Sequence, residues 1–226
     1  MEASLNRFGL SGYGAGRGLR NLSAAFVMAL PGVAMAEAVT VAALGDSLTQ
    51  GYGLLPEEGF VPQLEAWLRE QGADVALINA GVSGDTTAGG LARVGWTLVP
   101  EVDAMIVALG GNDLLRGIDP AASRENLRGI LEAAQAAGVE VLLVGMEAPT
   151  NYGPEFKAAF DTMYGELAAE FGAALYPSFF DGLMAEGDLA EARARYMQGD
   201  GIHPNAEGVG VIVAAMGPAV LELVGP

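Results

Sequence analysis

The sequence predicts an α/β fold, a parallel sheet wrapped by helices, and three observations predict it. From residue 39 onward, short and nearly all-apolar runs alternate with longer segments of helical period. The apolar runs have the length of strands buried on both faces. Each of the first four ends in a turn rich in Gly and small polar residues. With 226 residues, of which 51% are hydrophobic, the chain suits one domain around one core.

The predicted strands are residues 39–44, 74–79, 104–109, 139–144 and 174–176, each expected to be covered on both faces. Helical periodicity marks residues 60–71, 87–98, 120–137, 154–171 and 205–223. Gly72 and Gly138 stand where a helix end favours a left-handed residue, while Asp119 before Pro120 and Asn205 after Pro204 suit helix starts. Residues 178–200 are less periodic and are expected to form short helical turns and a loop. Trp67 and Trp96 fall within predicted helices and are expected in the core.

Ahead of the first strand, Arg7, Arg17 and Arg20 precede an apolar stretch at residues 22–30, followed by Pro31-Gly32 and Ala34-Met35-Ala36. That order is the layout of a secretory signal peptide at residues 1–36, cleaved after Ala36, with the mature domain at 37–226 in the periplasm or outside the cell. An uncleaved anchor is the alternative, although the stretch falls short of the ~20 residues that span a bilayer. The chain has no Cys, which excludes a lipidated cysteine and disulfides. The formal net charge is −17, and removing the leader's three Arg and one Glu leaves −19. Such a field disfavours nucleic acid and anionic membranes, so the expected partners are neutral or zwitterionic small molecules, with no stable membrane insertion after cleavage.

In open α/β sheets the ligand sits beyond the carboxyl ends of the strands. The turns there are residues 45–51, 80–86, 110–113 and 145–153. Ser47 follows the first strand directly, a position that by itself suits a helix cap as well as a nucleophile. His203, the only His in the chain, stands in the loop Gly199-Asp200-Gly201-Ile202-His203-Pro204-Asn205. Acyl transfer needs a nucleophile, a base, a group that orients the base, and donors for the oxyanion. Ser47, His203 and Asp200 fill the first three roles, with Asp200 close enough to accept a hydrogen bond from the Nδ1–H of His203 and hold its tautomer.

The oxyanion donors would be the Ser47 and Gly84 backbone N–H groups and the Asn112 side-chain amide, although Gly84 and Asn112 taken alone suit plain turn chemistry better. Gly84 lets backbone approach a substrate without a Cβ, and an amide donates without titrating. Asp46, Asp85 and Asp113 beside these residues read as acceptors that fix their turns. Leu48, Leu114, Leu115, Met146, Pro149 and Tyr152, with Tyr52, Leu54 and Leu55 nearby, are mostly apolar groups suited to an acyl or aryl chain.

These segments resemble the four blocks of the SGNH hydrolases, also called the GDSL family, with Ser47 in the first, Gly84 in the second, Asn112 in the third, and Asp200 with His203 in the last. Gly81-Val82-Ser83-Gly84-Asp85-Thr86-Thr87 and Pro149-Thr150-Asn151-Tyr152-Gly153 are similar to the periplasmic thioesterase I, lysophospholipase L1 and arylesterase group. The resemblance implies a three-layer α/β/α sandwich with a flavodoxin-like five-stranded parallel sheet of order 2-1-3-4-5. It also implies hydrolysis through an acyl-enzyme, with no cofactor. The expected substrates are short- to medium-chain acyl or aryl esters, thioesters and lysophospholipids.

Two other functions compete. A carbohydrate acetylesterase of the same fold should show more Trp and polar side chains at its site. A non-catalytic flavodoxin-like module binding flavin or nucleotide leaves the Asp200 and His203 pair unexplained. The G-x-S-x-G elbow of other α/β hydrolases fails because Thr49 occupies its fifth position. One His and no Cys make a transition-metal site unexpected, and Glu57, Glu58, Asp188 and Glu191 read as solvated surface.

Overall fold

The computed structural model describes residues 38–185 and 189–225; the predicted leader and Asp188 lie outside the described residues. Five strands, β1 (Val39–Gly45), β2 (Val75–Gly81), β3 (Ala104–Ala108), β4 (Glu140–Val144) and β5 (Ala174–Tyr176), pair in parallel in the order 2-1-3-4-5. The chain winds outward from β1 to β2, then crosses back to β3 on the other side of β1. That reversal opens a crevice between the loops after β1 and β3. Gly45 is level with Gly81 and Ala108, Ala108 with Val144, and Val144 with Tyr176, so the carboxyl ends of all five strands form one edge.

Alternation along the strands divides the core. Val41, Ala43, Ile106, Leu142 and Val144 pack against α2 (Phe60–Glu70) and α9 (Ala206–Val224). Ala42, Leu44, Met105, Val107, Val141 and Leu143 face the opposite layer, α3 (Thr87–Thr97), α5 (Pro120–Ala137) and α6 (Pro154–Phe171). The result is a three-layer sandwich. Among the described residues α9 alone is long and apolar enough to cross a membrane, yet its Val209, Ile212, Val213, Met216 and Val220 are buried in the first core layer. The anticipated punctuation is present: Gly138 ends α5 at φ +72°, the Asp119 carboxylate accepts from the Ala121 N–H, and the Asn205 side chain accepts from the Gly208 N–H.

Four features differ from the sequence reading. β2 and β5 are edge strands, so Ile78, Asn79, Ala174 and Leu175 are exposed rather than covered on both faces. Trp96 is 86% exposed, not core, whereas Trp67 packs against Gly217 of α9 as expected of a core residue. Short helices α1 (Ser47–Gln50) and α4 (Gly111–Arg116) open immediately after β1 and β3, where only turns were expected. In the weakly periodic segment the four-residue α7 (Asp181–Met184) is one of the short helical turns expected, but α8 (Leu189–Tyr196) runs for eight residues, longer than a turn.

Candidate active site

Ser47 owes its position to its neighbours. The Asp46 carboxylate caps α1 by accepting from the Leu48 N–H at 3.0 Å, which makes Ser47 the first helical residue. A Cβ on Gly45 would lie 2.0 Å from Thr49 Oγ1 and 3.0 Å from the Ala108 carbonyl, so only a bare backbone lets α1 fold down onto the strand ends. Asp46 is almost fully buried, and its second oxygen accepts from Asn112 Nδ2 at 3.1 Å, which ties the first loop to the third. Burial pushes the Asp46 carboxyl above the usual carboxylate range, against the opposing hydrogen bonds from Leu48 and Asn112.

The chain returns to Ser47 from 156 residues away: His203 Nε2 lies 2.9 Å from Ser47 Oγ, and His203 Nδ1 lies 2.6 Å from Asp200 Oδ2. The other Asp200 oxygen accepts from the Ile202 and His203 N–H groups at 2.9 and 3.0 Å. The His203 side chain is the main cause, helped by these two amides, that holds the Asp200 carboxyl down at about 2. An ionised acceptor at Nδ1 assigns the proton to that nitrogen and leaves Nε2 as the acceptor facing the Ser47 hydroxyl.

The second and third loops are braced from beneath. Arg93 pairs with Asp85 at 2.6 Å and also donates to the carbonyls of Ala80 and Gly45, joining the ends of β2 and β1 to the turn that carries Gly84. Arg116 donates to the Gly84 carbonyl at 2.7 Å. Fully buried Asp113 accepts from the Thr87 N–H at 2.9 Å, the Thr87 hydroxyl at 2.6 Å and the Ser123 hydroxyl at 2.8 Å. All three flanking aspartates thus accept bonds that fix the loops.

Gly84 sits at φ +83°, a backbone that L side chains rarely adopt, while the nearest atom to a Cβ there would be Arg116 Nη2 at 3.7 Å. Within the chain, glycine is therefore required by conformation rather than by crowding. Neither the Ser47 nor the Gly84 N–H has a protein acceptor among the described residues. The Asn112 amide has one hydrogen directed to Asp46 and a second to offer.

These groups line one cavity of about 980 Å³, and all six predicted pocket residues, Leu48, Leu114, Leu115, Met146, Pro149 and Tyr152, line it too. Leu48 and Leu114 are buried, whereas Leu115 and Tyr152 stand exposed at the mouth. Leu54 instead packs into the core, and Leu55 is exposed away from the cavity. The reading of the sequence missed Phe180, Leu183, Met184, Met197 and Ile202, which supply another wall. Their signal was the apolar pairs at 179–180 and 183–184, spaced one helical turn apart in a segment expected to form short helical turns and a loop. Among the described residues no cluster of three or more His or carboxylate side chains could hold a metal.

A doubly wound sheet with a Ser–His–Asp chain of hydrogen bonds at its carboxyl edge defines a serine hydrolase, an enzyme that moves an acyl group first to a serine and then to water. The chain belongs to the GDSL-like Lipase/Acylhydrolase family, whose model matches residues 43–211. It is 41% identical over 192 residues to Esterase TesA of Pseudomonas aeruginosa, covering 84% of this chain and 88% of that enzyme. It is 37% identical over 174 residues to Thioesterase 1/protease 1/lysophospholipase L1 of Escherichia coli, covering 76% of this chain and 78% of the relative. Among solved structures, AlinE4, an SGNH-hydrolase family esterase, is similar with a TM-score of 0.67 and 43% identity, over 85% of this chain and all of the other.

Proposed function

We propose that this enzyme hydrolyses short- to medium-chain acyl or aryl esters, and thioesters and lysophospholipids of similar reach, through an acyl-enzyme on Ser47. The observation that carries the reading is the unbroken hydrogen-bonded chain from Ser47 through His203 to Asp200 beside an apolar cavity. Ser47 Oγ attacks the acyl carbon while His203 Nε2 takes its proton, and Asp200 stabilises the resulting imidazolium. The oxyanion is met by the Ser47 and Gly84 N–H groups and the free amide hydrogen of Asn112. His203 then returns the proton to the leaving oxygen or sulfur, and water repeats the sequence to free the acid.

The apolar walls favour acyl and aryl chains, and neither tryptophan lines the cavity, which counts against a sugar ester. The relative from Escherichia coli is named for thioester and lysophospholipid hydrolysis. A net charge of −17, or −19 without the leader, repels the phosphates of acyl-CoA. We also infer that residues 1–36 are cleaved after Ala36 and that the enzyme works in the periplasm or outside the cell, from the order of basic, apolar and small residues in the leader. The expected mass in the periplasmic fraction is that of a chain beginning at Glu37.

An ester panel with a Ser47→Ala control tests the function. kcat/KM should peak among short or medium acyl chains and vanish in the variant. A profile rising steadily to long-chain acyl-CoA overturns the substrate assignment, and turnover surviving in Ser47→Ala overturns the mechanism.

A further inference from the structure

Gln198, which lies just after α8 and in none of the recognised sequence blocks, is tied to the histidine turn and to the serine loop at once. Its backbone N–H donates to the His203 carbonyl at 2.8 Å, and its own carbonyl accepts from the Gly201 N–H at 2.9 Å, closing the turn that carries Asp200 and His203. Its side-chain amide spends both hydrogens on backbone carbonyls, that of Pro204 at 2.9 Å and that of Tyr52 at 2.8 Å. Tyr52 in turn donates its N–H to the Ser47 carbonyl at 3.1 Å, and its ring lies 4.6 Å from the His203 ring, centroid to centroid. Apart from the bond between His203 and Ser47, the amide's bond to Tyr52 is the only hydrogen bond among the described residues that joins 47–55 to 197–205.

The fit around this amide is close on its other side as well. A Cβ on Gly53 would lie 2.3 Å from Gln198 Oε1, and Gly53 takes φ +76° to pass beneath it. We propose that Gln198 is a positioning residue for His203: its amide clamps the serine loop to the histidine turn and so sets the approach of Nε2 to Ser47 Oγ. The proposal rests on the assignment of Ser47 and His203 as nucleophile and base. Proton transfer depends steeply on that separation, and a misplacement of ~1 Å can cost ~10²-fold in rate.

Gln198→Met keeps length and volume but removes both donors. Per active site titrated with an organophosphorus ester, kcat should fall ~10- to 100-fold while KM stays within about twofold, and the rate constant for phosphorylation of Ser47 should fall in parallel. Gln198→Glu, which sets a carboxylate against two carbonyl oxygens, should be at least as slow. A merely structural role predicts a lower Tm and fewer titratable sites with kcat per site unchanged, and that result overturns the proposal. Should Gln198→Met fail to fold, Gly53→Ala, which drives a methyl into the amide from the other side, is read by the same two rate constants. A wild-type protein that neither turns over esters nor labels at Ser47 refutes the underlying assignment, whereas a labelled wild type matched per site by Gln198→Met refutes only the clamp.

Discussion

Asp113 holds two loops of the site together, and Asp113→Ala should show it in both stability and rate. The carboxylate is fully buried and accepts from the Thr87 N–H, the Thr87 hydroxyl and the Ser123 hydroxyl. Truncation leaves three buried donors without their acceptor, each costing ~1–3 kcal/mol; because the two hydroxyls can rotate, the loss should total about 3–6 kcal/mol. That is a large share of the ~5–15 kcal/mol of an ordinary domain. Thr87 begins α3 three residues after Gly84, and Asp113 follows Asn112, so the two groups proposed as oxyanion donors should shift when the tie is cut. Urea unfolding followed by circular dichroism measures the first effect, and kcat per titrated site the second. Asp113→Asn, which keeps one acceptor oxygen, should be milder in both. An Asp113→Ala protein within 1 kcal/mol of wild type and with full activity would refute the reasoning.

Other outcomes follow from the same geometry. Asn112→Ala should lower kcat ~10²–10³-fold with little change in KM, measured with an aryl ester. Asp200, held at about 2, should stay ionised and add no acid step above pH ~3 to a pH–rate profile. The depressed Asp200 value also contributes stability above the unfolded carboxyl value of ~3.9. That contribution is lost as pH falls towards 2, so melts of wild type and Asp200→Asn should converge there. Thr49 Oγ1 is buried with no hydrogen-bond partner among the described residues, so Thr49→Val should raise unfolding free energy by about 1 kcal/mol in denaturant titration.

A parallel sheet wrapped by helices and all five strands were legible because apolar runs alternate with helical periods, and the site loops because a sheet edge needs Gly and small polar residues there; the three layers and the strand order followed only from the family resemblance. Helices α1 and α4 escaped notice because four and six residues are too few to display a period. Exposure on β2 and β5 follows from their place at the sheet's edges, which no local stretch of sequence encodes. Trp96 was misassigned for a similar reason: α3 buries Thr87, Gly90 and Val94, and a residue two beyond Val94 falls on the far side of the helix. Gln198 carried no signal at all, since its partners are carbonyls brought together only by the fold.

The central claim is that Ser47 is a nucleophile activated by His203, and covalent labelling tests it most directly. Wild-type protein treated with a fluorophosphonate should gain one adduct, located by peptide mass spectrometry on Ser47, with loss of esterase activity in step. Ser47→Ala should gain none, and His203→Ala should react at least ~10²-fold more slowly. Labelling of Ser47→Ala at the wild-type rate, or an adduct found on another serine as activity disappears, would contradict the account.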